Sequence, residues 1–342
     1  MSQQAPIFFS IILPVKWKGD YLEPALQSIA QQTYTHFEVI VLLDKSSIEN
    51  GTVAWLQEQK IVPVTLHVSY QELGIAENWG RIKDIEKKPY MTIMGYDDLL
   101  YPSFLEKIAA SIQEHPESSL FHAHFDLIDA NSNSIGKCKP MLSEYNASQF
   151  MEAMIRFTIT QMATGYIFKS SDYDEIGGIP THYPNIIYAD IDLFLQLSLK
   201  GKTQVLPDTL FAFRWHQSTT RTSKLETLLQ ALNLFSEQLA RWKQTTPAFA
   251  KSIELYADEY LLKEYRSLAH SSLRLTKQER GQYSVQYFME SFKIAYQKIY
   301  QSKAPSLFND WSWFLAWCID QVFPIRELFR QWRNKRSKPI IS

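Results

Sequence analysis

The sequence has few cysteines and no long apolar run. Two cysteines in 342 residues, Cys138 and Cys318, are too few for a disulfide framework or a cysteine-rich zinc site, so a reducing compartment is expected. Nowhere do about 18 uncharged apolar residues follow one another, so no transmembrane helix is predicted. The opening MSQQAPIFFSIILPVKW lacks a basic start, so no signal peptide is expected. These absences together predict a cytoplasmic protein.

An excess of charge of one sign is also lacking, because the formal net charge is -1. That balance hides an asymmetry: residues 223–342 carry 18 Lys and Arg against 11 Asp and Glu, whereas residues 1–222 carry 17 against 25. An acidic front half argues against nucleic acid and fits a metal ion or a hydroxyl-bearing substrate better. With 45% hydrophobic and 21% charged residues, the composition excludes wholesale disorder, and the length predicts about two domains.

Short apolar segments alternate with amphipathic ones in the first half of the chain. The pattern predicts strands at residues 10–15, 37–43, 65–69 and 90–94, and helices at 20–32, 52–59, 75–85 and 102–114. Such alternation predicts an α/β fold with a mostly parallel, twisted sheet flanked by helices, whose ligands gather at the carboxyl ends of the strands. Beyond Leu225 only Gly281 remains of the glycines, which predicts a helical C-terminal region. The predicted domains are 1–222 and 223–342.

Two adjacent carboxylates directly follow the fourth predicted strand, in Gly95-Tyr96-Asp97-Asp98. Like charges at this spacing raise each other's pKa, so the pair is unfavourable unless a positive group lies beside it. A hard divalent cation, completed by water and phosphate oxygens, is one solution. The alternative is that Asp97 or Asp98 serves the start of the helix near Pro102. The pair alone does not decide between the two.

Four other polar side chains stand at the ends of predicted elements. Asp44 follows the second strand and could accept hydrogen bonds from a base or ribose, or lie in a solvated turn. Asp190 begins a helix and could be a general base or an N-cap. Arg214 and His216 alternate along a strand, so they share a face and could meet a diphosphate or a metal, or be structural.

A competing metal site is conceivable at His122, His124 and Asp126, which share one face of a predicted strand. That arrangement would belong to a metal hydrolase. The alternative is an ordinary strand with one polar face.

Segments in a fixed order connect these positions to a known family. FFSIILPV, LEPALQSIAQQTYTHFEVIVLLDKSS, LGIAENWGRI, IMGYDDLLYPSFLEKI, TGYIFKSSDYDEIGG, YADIDLFLQLSLKG and FRWHQSTT resemble, in this order, the segments of family 2 glycosyltransferases. The resemblance covers about residues 7–222. It implies a GT-A fold of the type that builds bacterial surface polysaccharides, and it favours the functional alternatives above.

The resemblance also implies a reaction and a role for each position. The reaction is an inverting, metal-dependent transfer of a sugar from a nucleotide-diphospho-sugar, expected to be a UDP-sugar, to a hydroxyl of a glycan or lipid-linked acceptor. Asp190 is the implied catalytic base. The implied donor-binding residues are Pro14, Asp44, Gly74, Asn78, Asp97 and Arg214, and the implied ligands of Mg²⁺ or Mn²⁺ are Asp97, Asp98 and His216.

Some positions depart from the family pattern. Gly95 replaces the first aspartate of an acidic triplet, and Ala189 replaces the glutamate that usually precedes Asp190. Lys16 and Trp17 replace the usual Tyr-Asn after the first strand. These departures keep open a second hypothesis, a catalytically silent GT-A-fold protein that serves as a binding or assembly subunit.

The C-terminal residues combine aromatic and basic side chains. Residues 308–323 hold three Trp and three Phe, and after Pro324 the residues Ile325, Leu328, Phe329 and Trp332 follow helical spacing, with arginines at other positions. An aromatic face with a basic rim is typical of a helix that lies in an anionic membrane interface, here the inner face of the cytoplasmic membrane. The alternative is a helix packed on the catalytic domain with a solvated basic tail.

Overall fold

The protein is described from a computed structural model, which describes residues 5–215 and 224–336. The chain divides into two compact units: Met1–His182 with Ala189–Trp215, and Tyr183–Tyr188 with His216–Ser342. The predicted domain boundary at residue 222 falls among residues outside the description and stays a prediction.

The described part of the first unit contains one sheet of ten strands. They are β1 (Phe9–Pro14), β2 (Phe37–Leu43), β3 (Thr65–Val68), β4 (Tyr90–Ile93), β5 (Leu99–Leu100), β6 (Leu120–Ile128), β7 (Ser134–Lys137), β8 (Glu144–Tyr145), β9 (Ile167–Lys169) and β10 (Thr203–Arg214). The four strands predicted in the first half of the chain are all present, with ends that differ by one residue at most. Every residue of β1 is buried, as expected of a central strand covered on both faces.

The sheet is mixed, with the strand order β3-β2-β1-β4-β9-β6-β10-β5. The first four strands pair in parallel, as predicted, and so do β6 and β10. β9 runs antiparallel to both β4 and β6, while β5, β7 and β8 add further antiparallel pairs. The last strand of the predicted strand–helix repeats is β4, so the repeats could not reveal these reversals.

Helices flank this sheet at positions close to those predicted. They are α1 (Leu22–Ala30), α2 (Lys45–Glu49), α3 (Thr52–Glu58), α4 (Ile75–Gly80), α5 (Phe104–Glu114), α6 (Ala147–Ile155), α7 (Ser170–Glu175) and α8 (Ala189–Ser198). α1 buries Leu22, Ala25, Leu26 and Ile29, the spacing of one helix face, in the core beside β1 and β2. α4 is shorter than predicted because the chain tightens into a 3₁₀ turn at Arg81–Asp84.

The second unit is helical in its described residues, as predicted for the C-terminal region. Its helices are α9 (Leu225–Thr245), α10 (Pro247–Ser272), α11 (Lys277–Arg280), α12 (Val285–Tyr300), α13 (Trp311–Gln321) and α14 (Phe323–Arg336). The long helices α9, α10 and α12 pack on one another around buried aromatic side chains such as Phe235, Tyr265 and Phe292. Within residues 5–215 and 224–336, we find no helix that combines the length and the apolarity needed to cross a membrane.

Candidate functional site

Three neighbouring parallel strands deliver predicted site residues to one edge of the sheet. β1 ends at Pro14, β2 is followed by Asp44, and β4 is followed by Gly95-Tyr96-Asp97-Asp98. Pro14 is buried in register with Leu42 of β2, so it contributes shape and no hydrogen-bond donor. Because the three strands are parallel and adjacent, their carboxyl ends form one continuous edge.

Asp44 is a buried carboxylate that caps α2. Its Oδ1 accepts hydrogen bonds from the Ser46 hydroxyl at 2.5 Å and the Ser47 backbone N–H at 3.2 Å, and its Oδ2 accepts one from the Leu73 N–H at 3.1 Å. Burial opposes ionisation of Asp44, but these hydrogen bonds outweigh it and lower the pKa of the carboxyl. Asp44 is therefore an ionised acceptor, and its buried N-cap position differs from the solvated turn that the sequence left open.

Asn78 and Gly74 come to the same edge through α4. Gly74 is exposed as the residue before the helix, where its N–H donates to Glu77 at 2.7 Å. Asn78 is buried, and its Oδ1 accepts a hydrogen bond from Arg81 at 2.9 Å. Arg81 also donates to the carbonyl of Leu43, next to Asp44, whose charge acts on the guanidinium. Arg81 thus places a positive group near the Asp44 carboxylate. The sequence analysis did not identify Arg81 as a site residue.

Asp97 and Asp98 converge beside Gly95. A Cβ built on Gly95 would lie 2.7 Å from Asp97 Oδ1 and 2.8 Å from Asp98 Oδ2, with Thr164 Oγ1 at 3.3 Å. Two carboxylate oxygens therefore meet at the point that a side chain at residue 95 would occupy. Glycine at residue 95 departs from the family pattern, and because it has no side chain it leaves this point open.

The two carboxylates differ in their surroundings. Asp97 is partly exposed, whereas Asp98 is 2% exposed and accepts hydrogen bonds from the Thr164 hydroxyl at 2.5 Å and the Arg214 backbone N–H at 2.8 Å. Burial, and after it the charge of Asp97, raise the pKa of the Asp98 carboxyl well above its usual value. A cation beside the pair would offset both effects.

These residues fit a divalent cation. Mg²⁺ and similar ions are held by one or two carboxylates, with water and substrate phosphate oxygens completing the shell, and the converging oxygens of Asp97 and Asp98 supply that pair. Within the described ranges, 5–215 and 224–336, no group of three or more His, Cys, Asp or Glu side chains is placed to hold a metal. The third predicted ligand, His216, lies outside the described residues.

Arg214 ties two loops together beneath this edge. The residue is 2% exposed, and its guanidinium donates to the carbonyls of Asp97 at 2.8 Å and Asp129 at 2.9 Å and to the Ser132 hydroxyl at 3.0 Å. Its charged plane also lies 4.5 Å from the centre of the Tyr21 ring. These contacts give Arg214 a structural role, and its predicted part in donor binding stays a prediction.

Asp190 is the second residue of α8. The residue is half-buried, and its Oδ1 accepts a hydrogen bond from the Ile191 N–H at 2.7 Å. Burial raises the pKa of Asp190 to about 7, against the backbone hydrogen bonds of Ile191 and Asp190. A general base works best when its pKa lies near the working pH, so this value suits proton removal from a hydroxyl.

A short segment before β9 touches both carboxylate regions. The Thr164 hydroxyl donates to Asp98, and Tyr166 lies two residues further on. Burial, and after it the charge of Asp190, raise the pKa of the Tyr166 hydroxyl. Between them Gly165 has a φ of +94° and lies against the Phe211 ring, at a distance where a Cβ would overlap it. Thr164 is a second residue that the sequence analysis missed, because its partner is 66 residues away.

An aromatic pair bridges the loops after β1 and β4. The indole N–H of Trp17 donates to the Tyr96 hydroxyl at 2.6 Å, and the Trp17 side chain remains 61% exposed. Trp17 stands where the family usually has asparagine. At the carboxyl ends of the strands this chain therefore presents an exposed indole in place of a small amide.

The competing prediction of a metal site at His122, His124 and Asp126 is wrong. His122 is buried and stacked on Tyr166 with ring centroids 3.9 Å apart, and burial lowers the pKa of its imidazole to about 4. His124 Nε2 accepts from the Met141 N–H, whereas Asp126 accepts from the Tyr101 hydroxyl. The three side chains thus serve separate neighbours, and they form no metal-binding group.

Comparisons with known proteins agree with this architecture. The model of the family Glycosyl transferase family 2 matches residues 10–169. A glycosyltransferase of Rickettsia prowazekii is 33% identical over 132 residues, which cover 38% of this chain and 40% of that protein. The glycosyltransferase GlyG of Streptococcus pneumoniae is 24% identical over 126 residues, 36% of this chain and 41% of GlyG. The chain thus spans about two fifths of the length of these relatives.

Solved structures share the fold over nearly the whole chain. S. aureus TarS 1–349 in complex with UDP-GlcNAc matches with a TM-score of 0.64 at 16% identity, covering 95% of this chain and 92% of that one. The Pyrobaculum calidifontis mannosyltransferase PcManGT, in complex with GDP-Man and Mn²⁺, matches with a TM-score of 0.51 at 12% identity, covering 97% and 90%. At these identities the likeness shows the fold alone. The predicted GT-A fold with a helical C-terminal region is confirmed, and residues 10–169 match the model of the family 2 glycosyltransferases.

Proposed function

We propose that the protein transfers a sugar from a nucleotide-diphospho-sugar, expected to be a UDP-sugar, to a hydroxyl of a glycan or lipid-linked acceptor. The observation on which this depends is the convergence of Asp97 and Asp98 on the open point beside Gly95, at the same strand edge as Asp44. Asp44 and Asn78 would bind the nucleoside, with Pro14 and Gly74 shaping its pocket. TarS and PcManGT, which share the fold, were solved with nucleotide-sugars.

The proposed reaction is one displacement with inversion at the anomeric carbon. Asp190 takes the proton of the acceptor hydroxyl as its oxygen bonds to that carbon, and the bond from the carbon to the donor diphosphate breaks with its electron pair. A bound Mg²⁺ or Mn²⁺, held by Asp97 and Asp98 with His216 as a further predicted ligand, would stabilise negative charge on the leaving diphosphate. Arg214 would act by holding the Asp97 loop in place, given its contacts with backbone carbonyls.

The place of this reaction is part of the proposal. An acceptor of surface polysaccharide synthesis would be reached at the inner face of the cytoplasmic membrane, with the C-terminal helices in peripheral contact. No role for nucleic acid is proposed, since the first 222 residues carry an excess of acidic side chains.

A thermal-shift screen of nucleotide-sugars with and without Mn²⁺ tests donor binding. A ligand at 100 times its Kd stabilises the folded state by about 2.7 kcal/mol, so true donors should raise the melting temperature clearly. Asp97→Asn should remove the part of the shift that depends on Mn²⁺, whereas Asp208→Asn, an exposed aspartate paired with Lys107, should not. If no nucleotide-sugar raises the melting temperature, the proposal is wrong.

Turnover then separates the enzyme from a silent subunit. Release of UDP in the presence of Mn²⁺ and acceptor, or slow hydrolysis of the donor without acceptor, supports the transferase. Binding of a nucleotide-sugar with no turnover on any acceptor supports the alternative, which Gly95 and Ala189 keep open.

A further inference from the structure

Helix α13 presents apolar side chains to solvent. Trp313 and Ala316 point into the second unit and are 0% and 2% exposed. On the other side, Trp311, Phe314 and Leu315 are 71%, 37% and 45% exposed, at the spacing that places them on one helix face. A surface helix normally turns its polar face to water, so α13 is apolar on both sides.

Exposed apolar side chains continue along the chain into α14. Val322, between the helices, is 45% exposed, and Ile325, Leu328 and Trp332 of α14 are 50%, 66% and 45% exposed. We call these seven exposed side chains the C-terminal stripe: Trp311, Phe314, Leu315, Val322, Ile325, Leu328 and Trp332. Exposed apolar patches of this kind on a folded protein mark interaction surfaces.

The junction of the two helices is anchored in the second unit. Asp320, at the end of α13, accepts a hydrogen bond from the Val285 N–H at 2.8 Å and pairs with Arg280 and, at 3.4 Å, with Arg326 of α14. Arg326 is 4% exposed and donates to the Leu275 carbonyl at 2.6 Å. These buried contacts fix both helices at their junction, so the stripe is held in place on the second unit.

The charge of α14 indicates what covers the stripe. Its sequence FPIRELFRQWRNKR has five basic residues and one acidic residue. Tryptophan and arginine together are typical of segments in the interface of an anionic membrane, where the rings enter the headgroup region and the cations meet lipid phosphates.

We propose that the C-terminal stripe is a preformed binding surface for an anionic lipid bilayer. This deepens the proposed function, on which it rests for its purpose, because it names the residues that would bring the enzyme to a lipid-linked acceptor. The helices lie along the interface with the stripe immersed, and the basic residues of α14 that follow the buried Arg326 contact lipid headgroups.

Flotation of the full chain with lipid vesicles tests this surface. Wild type should bind vesicles of phosphatidylcholine with about 30% phosphatidylglycerol and bind phosphatidylcholine alone at least about tenfold more weakly. The variant Leu315→Gln/Leu328→Gln/Trp332→Gln should lose at least about tenfold in binding to anionic vesicles. The matched control Leu255→Gln/Ile294→Gln changes side chains that are 53% and 57% exposed on α10 and α12, and it should bind as wild type does.

Several results would overturn the proposal. One is unchanged vesicle binding by the stripe variant, and another is an equal loss in the control. A third is self-association in sedimentation that the stripe variant abolishes while vesicles remain unbound, which would assign the surface to a second copy of the chain. Thermal shifts with nucleotide-sugars, measured without vesicles, keep a failure of the transferase proposal separate from a failure of this one.

Discussion

Replacing Asp190 by asparagine should abolish transfer and at the same time stabilise the protein. Burial raises the pKa of the Asp190 carboxyl from 3.8 to about 7. The ionised form that a base requires is therefore unfavourable in the folded state. One pKa unit corresponds to about 1.4 kcal/mol, so the whole shift corresponds to about 4 kcal/mol, reduced to about 2–4 kcal/mol by the partial exposure of the side chain to water.

The sign of this effect sets its pH dependence. Between pH 3.8 and about 7 the folded state binds a proton at Asp190 that the unfolded state does not bind, so the free energy of unfolding falls as pH rises through this window. The asparagine of the variant would not titrate. The stabilisation of Asp190→Asn over wild type should therefore be near zero at pH 4, grow through pH 5 and 6, and level off above pH 7.

Urea unfolding at pH 5 and pH 8, beside transfer assays, measures both consequences. Transfer should fall by about 10²–10⁴-fold, with nucleotide affinity nearly unchanged, and wild-type kcat/KM should fall about tenfold per pH unit below pH 7. Asp172→Asn is the control: burial raises the pKa of Asp172 as well, but its carboxyl acts on Tyr90 at the amino end of β4, so transfer should persist. Transfer near the wild-type rate in Asp190→Asn would refute the base assignment, and equal stabilisation at both pH values would refute the burial argument.

Three further substitutions test the strand edge. Gly95→Ala places a Cβ within 2.8 Å of oxygens of Asp97 and Asp98. The variant should weaken the Mn²⁺-dependent part of nucleotide affinity about tenfold or more, measured by calorimetry with and without Mn²⁺. Unchanged affinity would contradict the cation site. Thr164→Val removes the hydroxyl donor to Asp98 and should cost about 1.5–3 kcal/mol in urea unfolding, with Thr164→Ser near wild type; equal losses in both variants would point to packing instead. Asp44→Asn should cost about 1–3 kcal/mol in the free energy of unfolding at pH 7, because the lowered pKa of Asp44 stabilises the folded state above its usual pKa. This cost should shrink as pH falls through the lowered pKa, and a cost that does not change with pH would show that ionisation is not its source.

The strand edge could be predicted from sequence because its signals are local. An apolar run such as that of β2, followed by a polar residue, is enough to place Asp44 at the carboxyl end of a buried strand. The same holds for β4 and the pair Asp97 and Asp98. Parallel pairing then brings these ends together without further information.

The functions of individual side chains depend on distant partners, and these could not be predicted. The Arg214 guanidinium bonds to the loop after β6, which lies 82 to 85 residues away in sequence, so the strand pattern indicates its face and not its target. His122 follows the same two-residue alternation as a ligand would, yet stacking on Tyr166 buries it in an aromatic core. Residue spacing predicts on which face of a strand a side chain lies, whereas its contacts depend on how distant parts of the chain pack against that face.

Gly95 and Arg214 have to be understood together. The family resemblance implies one more carboxylate at residue 95 and places Arg214 by the donor diphosphate or the metal. In this chain the missing side chain opens the point on which Asp97 and Asp98 converge, while the arginine directs its donors to the Asp97 and Asp129 carbonyls. These hydrogen bonds hold the Arg214 side chain beside the Asp97 loop. On the proposed function, a divalent cation bound by Asp97 and Asp98 would meet part of the charge of the donor diphosphate. On this reasoning the departure at residue 95 makes donor binding more dependent on a divalent cation, and the glycine is compatible with an active enzyme.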